Sequence, residues 1–417
     1  MKILWITNVL FNYHNCLLGE DINKVLTSGS WLNAAFEQTI IREDIELHIA
    51  TSFSVPEMLS GEHRRAHFYI LPGGSMFKYD CGSKENIQNL NNLRKLIDPD
   101  VLIIWGTESR FSWLASRVFS EVPKFVYMQG VLNSIVEHYY DGVPDKYRRR
   151  TLRDYLSLLT GTEASTIYSK HIPFENDIIA NAQGVIVEND WCEIQCLSIN
   201  SRLRILRDYL PIRQAFYQKM WTVDKMTPYT IFTNAGGSPI KGHHILFEAL
   251  ALVKKVYPQV KLFIPGDNYL IEQDTLKRRT GYLSHLLNLY NKYKLKDNVL
   301  FTGVLSAEEM SSFIESSNVY VMPSLIENHS SSLIEAMIVG APSISSFVGG
   351  TANLIKYGVN GYLYNSLEAK TLAGYIIRLF NDPQLASSIG SEALKIRECR
   401  QEDFNNVLAY IEKYLRK

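Results

Sequence analysis

Glu327 opens the polar run Asn328-His329-Ser330-Ser331-Ser332, and Glu335 follows it at Glu-x7-Glu spacing. The pattern places Glu327 in a loop after the apolar strand Val319–Met322. Glu335 falls about one turn inside the helix expected over Ser331–Val339, at about 1.5 Å of rise per residue. A helix start of this kind offers open backbone N–H groups and hydroxyls to an anion such as phosphate or diphosphate. A carboxylate beside it accepts two hydrogen bonds from vicinal hydroxyls, as on a ribose or hexose. One helix start therefore suits both halves of a sugar nucleotide. The plain structural reading of the same residues is a serine cap with solvated glutamates.

A second segment, Asn234-Ala235-Gly236-Gly237-Ser238-Pro239-Ile240-Lys241-Gly242, lies between a strand and a helix. Gly236 and Gly237 let the backbone approach a ligand, and Lys241 neutralises phosphate as a point charge. It is not a P-loop, because GxxxxGK[ST] is absent. His243-His244 follow it; one is expected to pack and one to face solvent. In the first half, Glu108 in Trp105-Gly106-Thr107-Glu108 and Gln129 in Gln129-Gly130 both follow strands. Glu108 is a candidate site carboxylate, with a structural role as the alternative. Gln129 can hydrogen-bond a sugar hydroxyl but cannot act as a base. His138 reads as a surface residue. The run Lys146-Tyr147-Arg148-Arg149-Arg150, with Arg153, suits an anionic lipid surface or lipid-diphosphate, or a solvated helix face.

The elements that must position these residues alternate. Short apolar runs at Lys2–Thr7, Ile45–Ala50, Phe68–Leu71, Val101–Trp105, Lys124–Met128 and Gly184–Glu188 read as buried strands. Helical patterns at Ser30–Ile41, Lys84–Leu96, Ser112–Phe119 and Phe174–Asn181 separate them. The second half repeats the plan, with strands at Thr230–Asn234, Lys261–Ile264, Asn298–Thr302, Val319–Met322, Ser343–Ser346 and Gly361–Leu363. His244–Val256 carries a stripe of Leu246, Ala249, Leu250, Val253 and Val256. This is α/β traffic for two doubly wound domains, divided between Asp208 and Met226. Ligands of such sheets bind outside the carboxyl ends of the strands, where the loops just named lie.

The chain has 417 residues, 46% hydrophobic and 21% charged, the mix of a globular protein. Lys plus Arg and Asp plus Glu are each 43, and a neutral chain argues against a nucleic-acid binder. The cysteines, Cys16, Cys81, Cys192, Cys196 and Cys399, are odd in number and widely spaced, which fits a reducing compartment. No apolar run reaches the ~20 residues of a membrane span, and the N-terminus lacks the apolar core of a signal peptide.

Glu327-x7-Glu335-Ala336-Met337, then Gly340-Ala341-Pro342, Gly349-Gly350 and Asn360-Gly361, resembles the C-terminal signature of family-four retaining glycosyltransferases of the GT-B fold (glycosyl transferases group 1). Lys241-Gly242, Pro265-Gly266-Asp267 and Phe301-Thr302-Gly303 match further positions of that family in order. The N-terminal half matches loosely, through Ser28-Gly29-Ser30-Trp31. The resemblance implies two Rossmann-like domains facing each other across a cleft. Residues 1–210 would form the acceptor side, with 401–417 crossing back to it, and residues 211–400 the donor side. It implies that Glu335 holds the donor ribose and Glu327 the transferred sugar. Lys241 would steady the diphosphate, and Gly29 would let the first helix approach it. Gly236, Gly237, Gly266, Ser330, Ser331 and Ser332 would line the donor site. The resemblance implies no cofactor and no divalent metal, and no DxD-type carboxylate pair is placed to bind one.

The implied reaction is retaining transfer from a nucleotide-diphosphate sugar to a glycan or lipid-linked acceptor, in the cytoplasm, with peripheral membrane contact. Surface-polysaccharide synthesis is the setting such chains often serve. Two positions depart from the family: Gly236 stands where an Arg is usual, and Gln129 where a His is frequent. A non-catalytic nucleotide-sugar or glycan binder is therefore the alternative. A phosphorylase would need a pyridoxal lysine site that is not identified, and neither half carries the GxGxxG of a dinucleotide oxidoreductase.

Overall fold

The computed structural model describes residues 1–19, 30–74, 79–148, 164–233, 236–270, 280–399 and 404–416. The chain divides into two compact units. Met1–Asn133, Ile167–Pro211 and Gln401–Lys417 form the first, and Ser134–Thr166 with Ile212–Arg400 form the second. The stretch 134–166 thus belongs with the second unit and not with residues 1–210.

The first unit is built on an eight-stranded sheet. Its strands are β1 (Lys2–Thr7), β2 (Glu46–Ser52), β3 (Leu59–His63), β4 (Ala66–Leu71), β5 (Val101–Trp105), β6 (Lys124–Tyr127), β7 (Gly184–Val187) and β8 (Arg204–Arg207). They run in the order β3-β4-β2-β1-β5-β6-β7-β8, with β3 antiparallel to β4 and the other pairings parallel. β1 is apolar on both faces because both are covered. Leu4 and Ile6 pack with Leu90, Leu93 and Phe111 on one side. Ile3 and Trp5 pack with Phe36, Trp105 and Leu408 on the other. The alternation follows from the two-residue period of a strand. The helix Asn405–Leu415 closes the second face, with Phe404 edge-on to Trp5 at 5.9 Å between ring centres.

The second unit holds six parallel strands: β9 (Thr227–Thr233), β10 (Lys261–Ile264), β11 (Val299–Phe301), β12 (Ser317–Met322), β13 (Ser343–Ser346) and β14 (Tyr362–Tyr364). Their order is β11-β10-β9-β12-β13-β14. The order reverses direction between β9 and β12, the switch point at which such sheets place ligands. The helix His243–Val256 buries Leu246, Ala249, Leu250 and Val253, but Val256 ends the helix 54% exposed and does not join the stripe. Near the end of the second unit the chain forms two helices, Pro383–Ala393 and Ile396–Cys399. Among the described residues no helix is long and apolar enough to cross a membrane.

Candidate active site

In the second unit, Pro239–Lys241 forms one 3-10 turn, and Gly242 follows at φ +68°. A Cβ on Gly242 would stand 1.8 Å from the Pro323 carbonyl oxygen. Only glycine lets this turn lie against the exit of β12. The approach brings Lys241 Nζ to 2.7 Å from Glu327 Oε1, and Ser324 Oγ donates to the same oxygen at 2.7 Å. Gly350 N–H donates to the Glu327 carbonyl at 3.1 Å. A Cβ on Gly349 would lie 1.9 Å from that carbonyl. Glu327 is therefore held at its backbone by the loop after β13 and at its side chain by the Lys-Gly turn.

Glu335 sits inside the helix Ser331–Val339 and is 5% exposed. Arg213 Nε and Nη2 both donate to its Oε1, at 3.0 and 2.6 Å. Burial pushes the Glu335 carboxyl above its ordinary pKa, and Arg213 opposes the shift. With both donors on Oε1, Oε2 is left to accept from ligand hydroxyls. Arg213 lies in an aperiodic stretch, Pro211-Ile212-Arg213, and carries no motif, so sequence reasoning passes over it. Only the fold brings it to Glu335.

Ser330 is buried and caps the helix, its Oγ accepting from Leu333 N–H at 3.3 Å. Ser331 is exposed and Ser332 half-buried. In the turn before Lys241, Gly237 is exposed and Gly236 half-buried. Gly266, at φ +96°, donates to the Gly303 carbonyl at 2.7 Å, tying the exits of β10 and β11 together. Gly29 and Ser28 lie outside the described residues, as do Asn234, Ala235, Arg149, Arg150 and Arg153. His243 and His244 are both buried, which corrects the expectation that one faces solvent. Each is drawn in by a tyrosine hydroxyl. His138 pairs with Asp141 at 2.7 Å, and Tyr147 of the basic run stacks on His285. Among the described residues no group of His, Cys, Asp and Glu is placed to hold a metal.

In the first unit, the loops after β1, β5 and β6 meet. Asn8 Nδ2 donates to Glu108 Oε2 and to Gln129 Oε1, each at 3.0 Å. Gly106, at φ +83°, makes room for them: a Cβ there would lie 2.4 Å from both Asn8 Nδ2 and Glu108 Oε2. Burial raises the Glu108 pKa. Behind the group, Glu175 is 1% exposed. It accepts from Leu132 N–H at 2.9 Å and from the Thr107 hydroxyl. Burial pushes its pKa up to about 8, with Glu108 nearby adding to the shift. His171 donates from Nδ1 to the Glu108 carbonyl at 2.7 Å and accepts from Arg110 Nε at 3.0 Å, a neutral tautomer that fits its lowered pKa. Glu175 and His171 sit on a helix that presents no motif, so nothing in the sequence singles out either one.

Residues 217–396 match the family model of glycosyl transferases group 1. The amylovoran biosynthesis glycosyltransferase AmsK of Erwinia amylovora is 30% identical over 122 residues, 28% of this chain and 29% of that protein. The chain spans less than half the length of the curated relatives it matches. Its fold matches sucrose-phosphate synthase from Thermosynechococcus elongatus with a TM-score of 0.66, at 18% identity over 100% of this chain and 98% of that one. Anabaena HepE in complex with UDP and glucose also gives a TM-score of 0.66, at 16% identity over 100% of both chains. The sequence resemblance to glycosyl transferases group 1 therefore holds over residues 217–396, in a chain with the GT-B fold.

Proposed function

We propose that the protein is a retaining glycosyltransferase that moves a sugar from a nucleotide-diphosphate sugar to a hydroxyl of a glycan or lipid-linked acceptor, without a metal ion. The observation that carries this reading is the joint placement of Lys241, Glu327, Glu335 and Arg213 at the carboxyl end of the second sheet. In this reading Glu335 accepts from the ribose hydroxyls, and Lys241 with the Gly236-Gly237-Ser238 turn takes the diphosphate. Glu327 accepts from hydroxyls of the transferred sugar. The bond from the anomeric carbon to the diphosphate oxygen breaks, and a bond to the acceptor oxygen forms on the same face. The acceptor proton passes to the leaving diphosphate. The protein supplies positioning and charge stabilisation.

Glu108 and Gln129 hold acceptor hydroxyls, and Gln129 serves there as a hydrogen-bonding group only. The setting is surface-polysaccharide synthesis; the relative AmsK is named as a glycosyltransferase of amylovoran biosynthesis, which supports a biosynthetic role. The odd number and wide spacing of the cysteines support a cytoplasmic location. Lys146 and Arg148 are exposed and suit contact with the inner membrane face.

Thermal unfolding with uridine, guanosine and adenosine diphosphates, with and without magnesium, tests the donor site. A ligand at 100 times its dissociation constant stabilises the fold by about 2.7 kcal/mol. One diphosphate is expected to raise the midpoint without metal, and Glu335→Ala to abolish the rise. No shift with any diphosphate overturns the reading. Gly236 and Gln129 favour a second reading, a binder without turnover. Glu327→Ala separates the two, since an enzyme loses sugar transfer and a binder keeps its ligand.

A further inference from the structure

The donor contacts above use neither histidine after the Lys-Gly turn. His243 is fully buried, with Nδ1 2.6 Å from Tyr269 Oη. Burial holds the Tyr269 phenol well above its ordinary pKa, so it keeps its proton. With the phenol donating to Nδ1, the imidazole proton sits on Nε2. The arrangement recurs one residue on. Tyr282 Oη lies 3.3 Å from His244 Nδ1, and His244 Nε2 donates to the Asp141 carbonyl at 2.9 Å. His244 thereby anchors the helix start to another segment of the unit. His243 turns the opposite way, toward the glycine turn.

A Cβ built on Gly236 would lie 3.7 Å from His243 Nε2 and 2.6 Å from Lys241 Cβ. A Cβ built on Gly237 would lie 3.5 Å from Tyr269 Cγ. One Tyr–His pair therefore borders both glycines, and Gly236 is packed on the stem of Lys241. Among the described residues nothing accepts from the backbone N–H of Gly236, Gly237 or Ser238. Consecutive open N–H groups beside a lysine make an anion-binding concavity, and glycines need support to hold that shape.

We propose that Tyr269 and His243 are positioning residues for the diphosphate: they hold the Gly236-Gly237 backbone and the Lys241 stem in the form that receives it. This rests on the donor reading above. It accounts for a turn that works with no side chain at position 236.

The test uses the full chain and titrates the uridine, guanosine and adenosine diphosphates and the corresponding nucleosides. Tyr269→Phe removes one hydroxyl, and His243→Leu removes the ring nitrogens. Each is expected to weaken the bound diphosphate by about 3- to 10-fold, the worth of one hydrogen bond. The double variant is expected to lose no more than the weaker single, because the pair acts as one unit. His243→Gln, which keeps an N–H donor, is expected to recover part of the loss. Nucleoside affinity is expected to stay unchanged in all of them. Equal losses for nucleoside and diphosphate, or unchanged diphosphate affinity in both singles, overturn the proposal. A wild-type chain that binds no diphosphate overturns the donor reading itself, a result distinct from either.

Discussion

Lys241 Nζ stands 2.7 Å from Glu327 Oε1, and Ser324 Oγ shares that oxygen. The two charges assigned to adjoining parts of one ligand, its diphosphate and its transferred sugar, are each other's counter-ion before it arrives. Removing the carboxylate frees the lysine. Glu327→Gln is expected to leave nucleoside-diphosphate affinity unchanged or slightly tighter, while sugar transfer falls about 100- to 1000-fold. Lys241→Met is expected to weaken both. Calorimetry beside a transfer assay separates the two; equal losses of diphosphate affinity in both variants would contradict the assignment.

Arg213 fixes the charge of Glu335. Burial favours the protonated carboxyl, and the guanidinium opposes it. In Arg213→Met the carboxyl pKa climbs further, so the carboxylate forms only at higher pH. Diphosphate affinity of the variant is expected to fall about 10-fold near neutrality and to recover as pH rises. The wild-type affinity is expected to change less from pH 6 to 8. A flat profile in the variant counts against this role.

Much of this site is legible in the residues and some is not. Lys2–Thr7 reads as a strand because both its faces are apolar, and both are buried. Leu59–His63 has no such pattern; it is a strand only because its backbone pairs with Ala66–Leu71. Glu327, Glu335 and Lys241 sit at junctions where a strand run gives way to a polar loop, so spacing alone marks them. Arg213 and Glu175 have no local mark. Their partners lie 122 and 43 or more positions away, and only the folded chain supplies them.

Glu175 makes stability depend on pH. Its folded pKa, about 8, lies above its ordinary 4.5. Its contribution is complete below pH 4.5 and is lost as pH rises toward 8. Buried His14 and His244, lowered to about 4, act in the opposite sense, losing stability as pH falls below 6.5. Between pH 6.5 and 8 the carboxyl is thus the group to watch. Glu175→Gln is expected to flatten the decline there, by on the order of a few kcal/mol in denaturant titrations. A variant that declines as steeply as the wild type refutes the shift.

Adding a side chain at position 236 is expected to harm rather than help. The Cβ of Gly236→Arg would meet Lys241 Cβ at 2.6 Å, close to the backbone where the lysine cannot yield. Diphosphate affinity is expected to fall, despite the added positive charge. Tighter binding in this variant would show that the turn has room to move.

The order of synthesis has a bearing on the first unit. Trp5 and Trp105 share a face of their sheet with Phe404, Leu408 and Ile411. The whole second unit lies between Pro211 and that last segment, apart from the stretch 134–166. At ribosomal speeds of about 5–20 residues per second, the covering helix emerges roughly 10–40 s after the sheet it covers. Until then the part of the tryptophan face that Phe404, Leu408 and Ile411 cover stands open to water. The connectivity thus leaves that apolar patch uncovered while the second unit is made, and a ribosome stalled within the second unit would hold it so.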